Sequence, residues 1–328
     1  MKVTAAIFRN GDKVLLMRRA ADQPLAGEWE YPGGKFEDGE DGPTCLHREL
    51  SEELGIDAQI GGLMTIAKHT TDSGKVIELH AYEILGYTGE IQLRVHDDMH
   101  WVPELEVPAH PQLPADLIVS QAVSTKCAIE YLNSLSDILT ELIINRTCYL
   151  DFHNALVEQK AKNNHFISWC VSNYYKVTVI NLCKLLETMG KRTLQKFVRF
   201  WKCPKHYIIL EQSSKNAVME FHDIDTGEIH TESISQGMLD YLTSIDFEAD
   251  LIEIQQMHER LKMLRDKKLV HNDVVKFDVV TPQVLELHKF IDAMEKMIIS
   301  YYGLFRHGIT FEDLKKSPRY SNFVLNLK

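Results

Sequence analysis

The stretch GKFEDGEDGPTCLHRELSEELGI, residues 34–56, decides the fold of the first part of the chain. It reads G-x5-E-x7-R-E-L-x-E-E-x-G-I, filled by Gly34, Glu40, Arg48, Glu49, Leu50, Glu52, Glu53, Gly55 and Ile56. Pro43 suits a first helical position and Gly55 the left-handed position just past a helix end, so the pattern predicts a helix over residues 43–54. On it Glu49, Glu52 and Glu53 stand at i, i+3 and i+4, which gathers three carboxylates on one face. Three like charges on adjacent turns repel, and a hard divalent cation taking oxygen ligands relieves the repulsion. Magnesium, with manganese as its alternative, is therefore the expected cofactor.

The residues around that helix extend the same chemistry. Gly33 and Gly34, after Tyr31-Pro32, let the backbone come close to a ligand, and the Gly33 carbonyl is a candidate further metal oxygen. Glu40 and Arg48 flank the corner between loop and helix and are expected to pair, a structural role; Leu50 and Ile56 should be core. A divalent cation held there can activate a water and neutralise phosphate oxygens. Glu49, Glu52 and Glu53 share the roles of ligand and base, and their spacing leaves open which is the base.

Strand patterns surround the helix, so the first part reads as α/β. Residues 3–8 and 13–17 are short apolar runs about Asn10-Gly11-Asp12, a hairpin signal. Residues 62–68 and 75–85 follow as strands, and Trp101-Val102 ends another. Residues 103–114 carry four prolines (Pro103, Pro108, Pro111, Pro114) and read as irregular, before a closing helix from about Ala115.

Charge and composition narrow the partners. The net charge is −11, and residues 1–126 hold 11 Lys and Arg against 21 Asp and Glu, with 25 against 26 beyond. A surface that acidic repels bare polyanions and favours a metal with a small phosphate. The start MKVTAAIFRNGDKVLL is not a signal peptide, and no apolar run reaches membrane-spanning length, so a cytoplasmic protein without a membrane partner is expected. The six cysteines include no C-x-x-C pair, which speaks against a zinc site or a disulfide framework.

Taken together, LLMRRAADQPLAGEWEYPGGKFEDGE (15–40), the box, SGKVIELHAYEI (73–84), His96 with Trp101, and Leu113-Pro114-Ala115-Asp116 resemble the Nudix hydrolases. The resemblance covers residues 1–125 and is to the MutT-like branch, particularly bacterial CTP pyrophosphohydrolases. It implies an α/β/α Nudix sandwich that converts a nucleoside triphosphate to the monophosphate and pyrophosphate. Arg19 would then contact phosphate, Lys35 would sit near the phosphates, and Tyr31 would help wall the base pocket. Asp116 would choose the base: an ionised Asp only accepts hydrogen bonds, which suits the amine of cytosine, whereas a protonated one could read a purine. One position departs from the branch. The Glu that commonly precedes the loop histidine is Val95 here, and Asp97 or Asp98 stands close enough to replace it, Asp98 being the candidate metal ligand.

From about Ser124 the texture becomes helical, over residues 126–146, 163–190, 236–268 and 282–303, so residues 126–328 are expected to form a second, mainly helical domain. Residues 206–212 and 217–230 alternate like strands about Asp225-Thr226-Gly227, a small β insertion. Arg265-Asp266-x4-His271 resembles the signature of HEPN domains of the abortive-infection type. That resemblance implies a homodimer in which Arg265 and His271 assist cleavage of RNA. Two readings stand for the whole chain: a nucleotide-pool enzyme whose helical domain dimerises or regulates it, and, as the alternative, a protein of phage defence or nucleotide signalling whose helical domain is a ribonuclease controlled by the first. The segment KRTLQKFVRFWKCPKH (191–206) interleaves cations with aromatics. It suits either single-stranded RNA or an amphipathic helix with buried rings, and the helix is the favoured reading.

Overall fold

A computed structural model gives the fold for residues 1–159, 165–187, 193–201, 218–222, 229–233, 245–268 and 282–302. It divides into two compact units, Met1–Ala128 and Ile129–Lys328.

In the first unit two sheets lie between helices. Strand β1 (Lys2–Ile7) pairs in parallel with β6 (Val76–Thr88), which pairs antiparallel with β5 (Asp57–Thr70). The second sheet joins β2 (Arg9–Asn10), β3 (Lys13–Arg19), β4 (Trp29–Glu30) and β7 (His96–Pro103), all antiparallel about β3. The expected hairpin at Gly11-Asp12 is therefore short: only Arg9 and Asn10 turn back onto β3, while β1 crosses to the other sheet.

The alternation of side chains explains why residues 5–8 and 14–17, in and next to β1 and β3, are apolar without a break. Ala5, Ile7, Val14 and Leu16 face one core, closed by Val119 and Val123 of helix α2 (Pro114–Glu158). Ala6, Phe8, Leu15 and Met17 face the other, closed by Leu46, Leu50 and Leu54 of helix α1 (Gly42–Leu54). This is the expected Nudix α/β/α sandwich, with the box helix as one outer layer.

Helix α1 begins where its cap dictates. The Asp41 side chain accepts from the Thr44 N–H at 2.8 Å, with Pro43 in the first turn. It ends at Gly55, whose φ of 67° is the left-handed conformation a side chain disfavours. Arg94 then covers the exposed helix end, its Nη1 donating to the Ser51 and Glu52 carbonyls at 3.1 and 3.0 Å. A cation at that end also complements the helix dipole.

The closing helix does not stop near residue 125. No Gly or Pro interrupts residues 115–158, and α2 runs through all of them, so the helical stretches expected from Ala115 and over residues 126–146 are one element. Ser124, where the texture changes, is buried with its hydroxyl donating to the Leu105 carbonyl at 3.3 Å.

The second unit is mainly helical, with α3 (His165–Leu186), α4 (Leu194–Trp201), α5 (Phe247–Lys268) and α6 (Pro282–Tyr302), and one antiparallel pair, β8 (Val218–His222) with β9 (Ile229–Ser233). Tyr149 stacks on Tyr174 at 4.1 Å, and the Tyr174 hydroxyl lies 2.8 Å from His288 Nε2. Tyr301 is buried between Phe197 and Phe247, its hydroxyl donating to Asp250 at 2.6 Å. In α4 Phe197 and Val198 are buried and Arg199 is exposed, as in an amphipathic helix packed on a core. Residues 206–212 and the turn at 225–227 lie outside the described residues. No helix among the described residues is long and apolar enough to cross a membrane.

Candidate active site

Residues 32–36 run antiparallel to β1. Thr4 N–H donates to the Gly34 carbonyl and Ala6 N–H to the Pro32 carbonyl, both at 2.8 Å, and Phe36 N–H donates to the Lys2 carbonyl at 3.3 Å. Because backbone groups alternate along an extended segment, Gly33 turns its own N–H and carbonyl away from β1. Its N–H lies on the side of the Glu53 carboxylate, which it favours in the charged form. The carbonyl of the same residue is likewise not used by β1.

Both glycines are required by contact. Gly33 has a φ of 152°, and a Cβ there would collide with the Thr4 carbonyl. A Cβ at Gly34 would fall within the Glu49 carboxylate. The buried Thr4 also receives Gly34, its hydroxyl lying 3.2 Å from the Gly34 carbonyl.

Arg48 organises the acidic face of α1. Its Nε donates to Glu40 Oε1 at 2.8 Å and its Nη2 to Glu40 Oε2 at 3.0 Å, a two-point clamp. Arg48 Nη2 also reaches the Lys35 carbonyl at 3.1 Å. Its Nη1 stands 3.1 Å from Glu49 and 3.3 Å from Glu52. The Arg48 guanidinium and the Glu37 N–H hold the Glu40 carboxyl down at about 2. Glu49 and Glu52 thus share a cation from their own helix.

Glu53 does not. Its Oε2 is buried with no hydrogen-bond partner. Burial pushes its carboxyl up to about 7; nearby His96 opposes this, Glu49 and Glu30 add to it, and the Gly33 N–H opposes it. An oxygen so placed is available to a ligand, an ion or a water. Among the described residues no three His, Cys, Asp or Glu side chains converge tightly enough to enclose an ion as they stand. The donors nonetheless fit a hard cation: carboxylate oxygens, one of them orphaned, beside a backbone carbonyl.

Two neighbours of Glu53 are functional candidates that motif reading passes over. Glu30, on β4, receives Arg19 on one oxygen and lies 3.1 Å from His96 Nε2 on the other. His96 is buried on β7. Glu30 lies inside the quoted 15–40 stretch, and His96 follows the anomalous Val95. Each is visible in the sequence, but nothing in the sequence records that they meet.

Asp97 and Asp98 are otherwise engaged. Arg18 Nε donates to Asp97 at 2.7 Å, and Asp98 lies 3.6 Å from both Arg18 Nη1 and His100 Nε2.

The base-side candidates also meet. Asp116 is buried at the start of α2, where its Oδ1 accepts the Tyr31 backbone N–H at 2.9 Å. Burial pushes the Asp116 carboxyl up to about 7, against the Tyr31 N–H. Tyr31 itself is a core residue, its hydroxyl 2.8 Å from Ser120. Arg19, besides Glu30, donates to the Pro24 carbonyl at 2.7 Å. In the second unit Arg265 lies half-buried near the end of α5, and His271 lies outside the described residues.

A family model described as the NUDIX domain matches residues 1–121. The CTP pyrophosphohydrolase of Escherichia coli (strain K12) is 38% identical over 123 residues, 37% of this chain and 90% of that protein. The putative 8-oxo-dGTP diphosphatase 2 of Mycobacterium tuberculosis is 36% identical over 121 residues, 35% of this chain and 80% of that protein. The 8-oxo-dGTP diphosphatase of Escherichia coli (strain K12) is 42% identical over 60 residues, 18% of this chain and 46% of that protein. All three are matched at the level of the first unit, where the box, its glycine turn and the sandwich lie. Through that unit the chain belongs to the Nudix hydrolase family.

Proposed function

We propose that the first unit is a magnesium-dependent pyrophosphohydrolase that cuts a nucleoside triphosphate into the monophosphate and pyrophosphate, with a preference for cytidine-type bases. The observation that carries this reading is the buried, partnerless Glu53 oxygen on the acidic face of α1, beside the Gly33 backbone.

In this reading Glu49, Glu52, Glu53 and the Gly33 carbonyl hold the metal, and manganese serves in its place. Asp98 is left out, because Arg18 and His100 hold it. When bound, the metal neutralises phosphate oxygens and acidifies a water. Glu53 is also the assigned base, its Oε2 being the carboxylate oxygen that the protein leaves unpaired. Glu30 and His96 position it by fixing the charge at its side, while Arg48 keeps Glu49 and Glu52 from drifting into solvent.

Lys35, next to the glycine turn, and Arg19, at the end of β3, are both assigned to the phosphates. Asp116 is assigned to the base. Tyr31 supports it through the backbone N–H that Asp116 accepts, since the ring is spent on the core. The named activities of the similar proteins, on CTP and on 8-oxo-dGTP, differ in the base they read. The acidic residue at 116 is what favours cytidine: in its ionised form it offers only acceptors to the amine of the base.

A panel of nucleoside di- and triphosphates with magnesium tests this. Pyrophosphate release that is fastest with CTP or dCTP, and lost in Glu53→Gln, is expected. Release of orthophosphate alone, or equal rates in Glu53→Gln, would overturn the assignment.

A further inference from the structure

We infer that one face of α3 is the contact through which two copies of this chain pair antiparallel about a two-fold axis at Asn173. This stands independently of the hydrolase reading, since it concerns only the second unit.

The face is exposed and apolar. Phe166, Trp169, Val177 and Ile180 are 64, 59, 37 and 46% exposed. At 100° per residue all four fall within an arc of about 80°, along roughly 20 Å of helix. Phe166 and Trp169 stack on each other, ring centroids 6.1 Å apart. The opposite face of α3 is already committed: Ile167, Val171, Tyr174, Val179 and Leu182 are buried. Scattered exposed apolar residues need no explanation, but a continuous stripe of two aromatics and two branched aliphatics does.

The order of the stripe argues for a second copy as its occupant. Phe166 and Ile180 each stand seven residues from Asn173, and Trp169 and Val177 each stand four. An antiparallel two-fold through Asn173 therefore sets Phe166 against Ile180 and Trp169 against Val177, an aromatic against an aliphatic at every level. The spacing of the stripe is the same in both directions, so each of these contacts occurs twice across the two-fold.

Asn173 itself is exposed, and it falls at the middle of the arc. On the axis it would meet its own copy. A carboxamide carries both donors and an acceptor, so two of them satisfy each other across a two-fold. A lone Asn in an otherwise apolar seam is also the device that fixes register between paired helices.

Charge is compatible with this pairing. Helix α3 carries no Asp or Glu, and from Phe166 to Ile180 no charged residue lies within the arc. Lys184 follows on the same face one turn beyond Ile180, at the rim, where it remains exposed. Lys176 flanks the arc and would stand beside Trp169 of the other copy, a cation next to an aromatic face. The exposed parts of the four apolar side chains amount to roughly 400 Å² per copy, taking about 150–250 Å² for each whole aromatic. A standard interface buries about 800 Å² per partner, little more than half of it apolar. One stripe thus supplies nearly all the apolar core such an interface needs.

Sedimentation equilibrium of the full chain over a wide concentration range reads the result. A dimer is expected, and Phe166→Glu with Trp169→Glu should weaken it at least 100-fold while pyrophosphate release and the helical content by circular dichroism stay as in the parent. Asn173→Cys, in a background with Cys148→Ser, Cys170→Ser and Cys203→Ser, should give an intermolecular disulfide on mild oxidation that the background alone does not, a readout that survives if the charged variants misfold. A chain monomeric at every concentration, its stripe bare or covered by another segment of itself, overturns the inference. So does a dimer that ignores the two glutamates, or one that Asn173→Cys does not cross-link.

Discussion

The Glu49 carboxylate occupies the space a side chain at Gly34 would need: a Cβ built at 34 falls within it. The turn and the catalytic helix are therefore fitted to one another at a single point, and Gly34→Ala must displace either Glu49 or residues 32–36. Because those residues are tied to β1 by three backbone hydrogen bonds, the side chain is what moves. Turnover of Gly34→Ala should fall about 100-fold or more, the cost of a misplacement near 1 Å, with only a small change in melting temperature. A variant that keeps full turnover would remove Glu49 from the site.

Glu53 gives a pH signature in the metal-free protein. Its carboxyl rises from the ordinary 4.5 to about 7 on folding, chiefly through burial. A raised acid stabilises the fold fully below its unfolded value, and that stability is lost as pH rises through about 7. The loss is at most on the order of 3 kcal/mol. In the presence of a chelator, Glu53→Gln should therefore melt higher than the parent at pH 8 and alike or lower at pH 5. With magnesium, the same variant should lose about 1000-fold in turnover, the scale of a removed general base.

Asp116 predicts a change of base preference rather than of rate. An asparagine keeps an oxygen for the Tyr31 N–H and adds donors, so Asp116→Asn should fold and lose its preference for CTP over other triphosphates by about 10-fold or more in kcat/KM. Unchanged ratios across the panel would place base recognition elsewhere.

Glu30 and the loop aspartates separate two accounts of the residue missing at Val95. Arg18 holds Asp97 and Asp98 in half-exposed pairs, and such pairs contribute less than about 1 kcal/mol. Asp97→Ala and Asp98→Ala should keep turnover within roughly fivefold, whereas Glu30→Gln, which touches both Arg19 and His96, should lose more than about 10-fold. The reverse order would restore the loop aspartates to the metal.

What is legible in the sequence is what depends on neighbours along the chain. The cap at Asp41, the stop at Gly55 and the three box carboxylates follow from spacing, and so do the two-faced strands β1 and β3. What pairs across the chain is not legible. The parallel pairing of β1 with β6 requires a crossover that no local pattern records, and it shortens the expected hairpin to Arg9 and Asn10. Glu30 and His96 look ordinary alone and become part of the site only when β4 and β7 converge at its edge. At Ser124 a polar, helix-neutral residue imitates a boundary, while in the fold its hydroxyl is satisfied by Leu105 and α2 continues.

The most direct test of the central claim is the identity of the products. Incubated with CTP and magnesium and separated by anion exchange, the protein should yield CMP and pyrophosphate in equal amounts, with none formed in chelator or by Glu53→Gln. CDP with orthophosphate, or CTP left intact where the parent protein is folded and magnesium is present, would contradict the account.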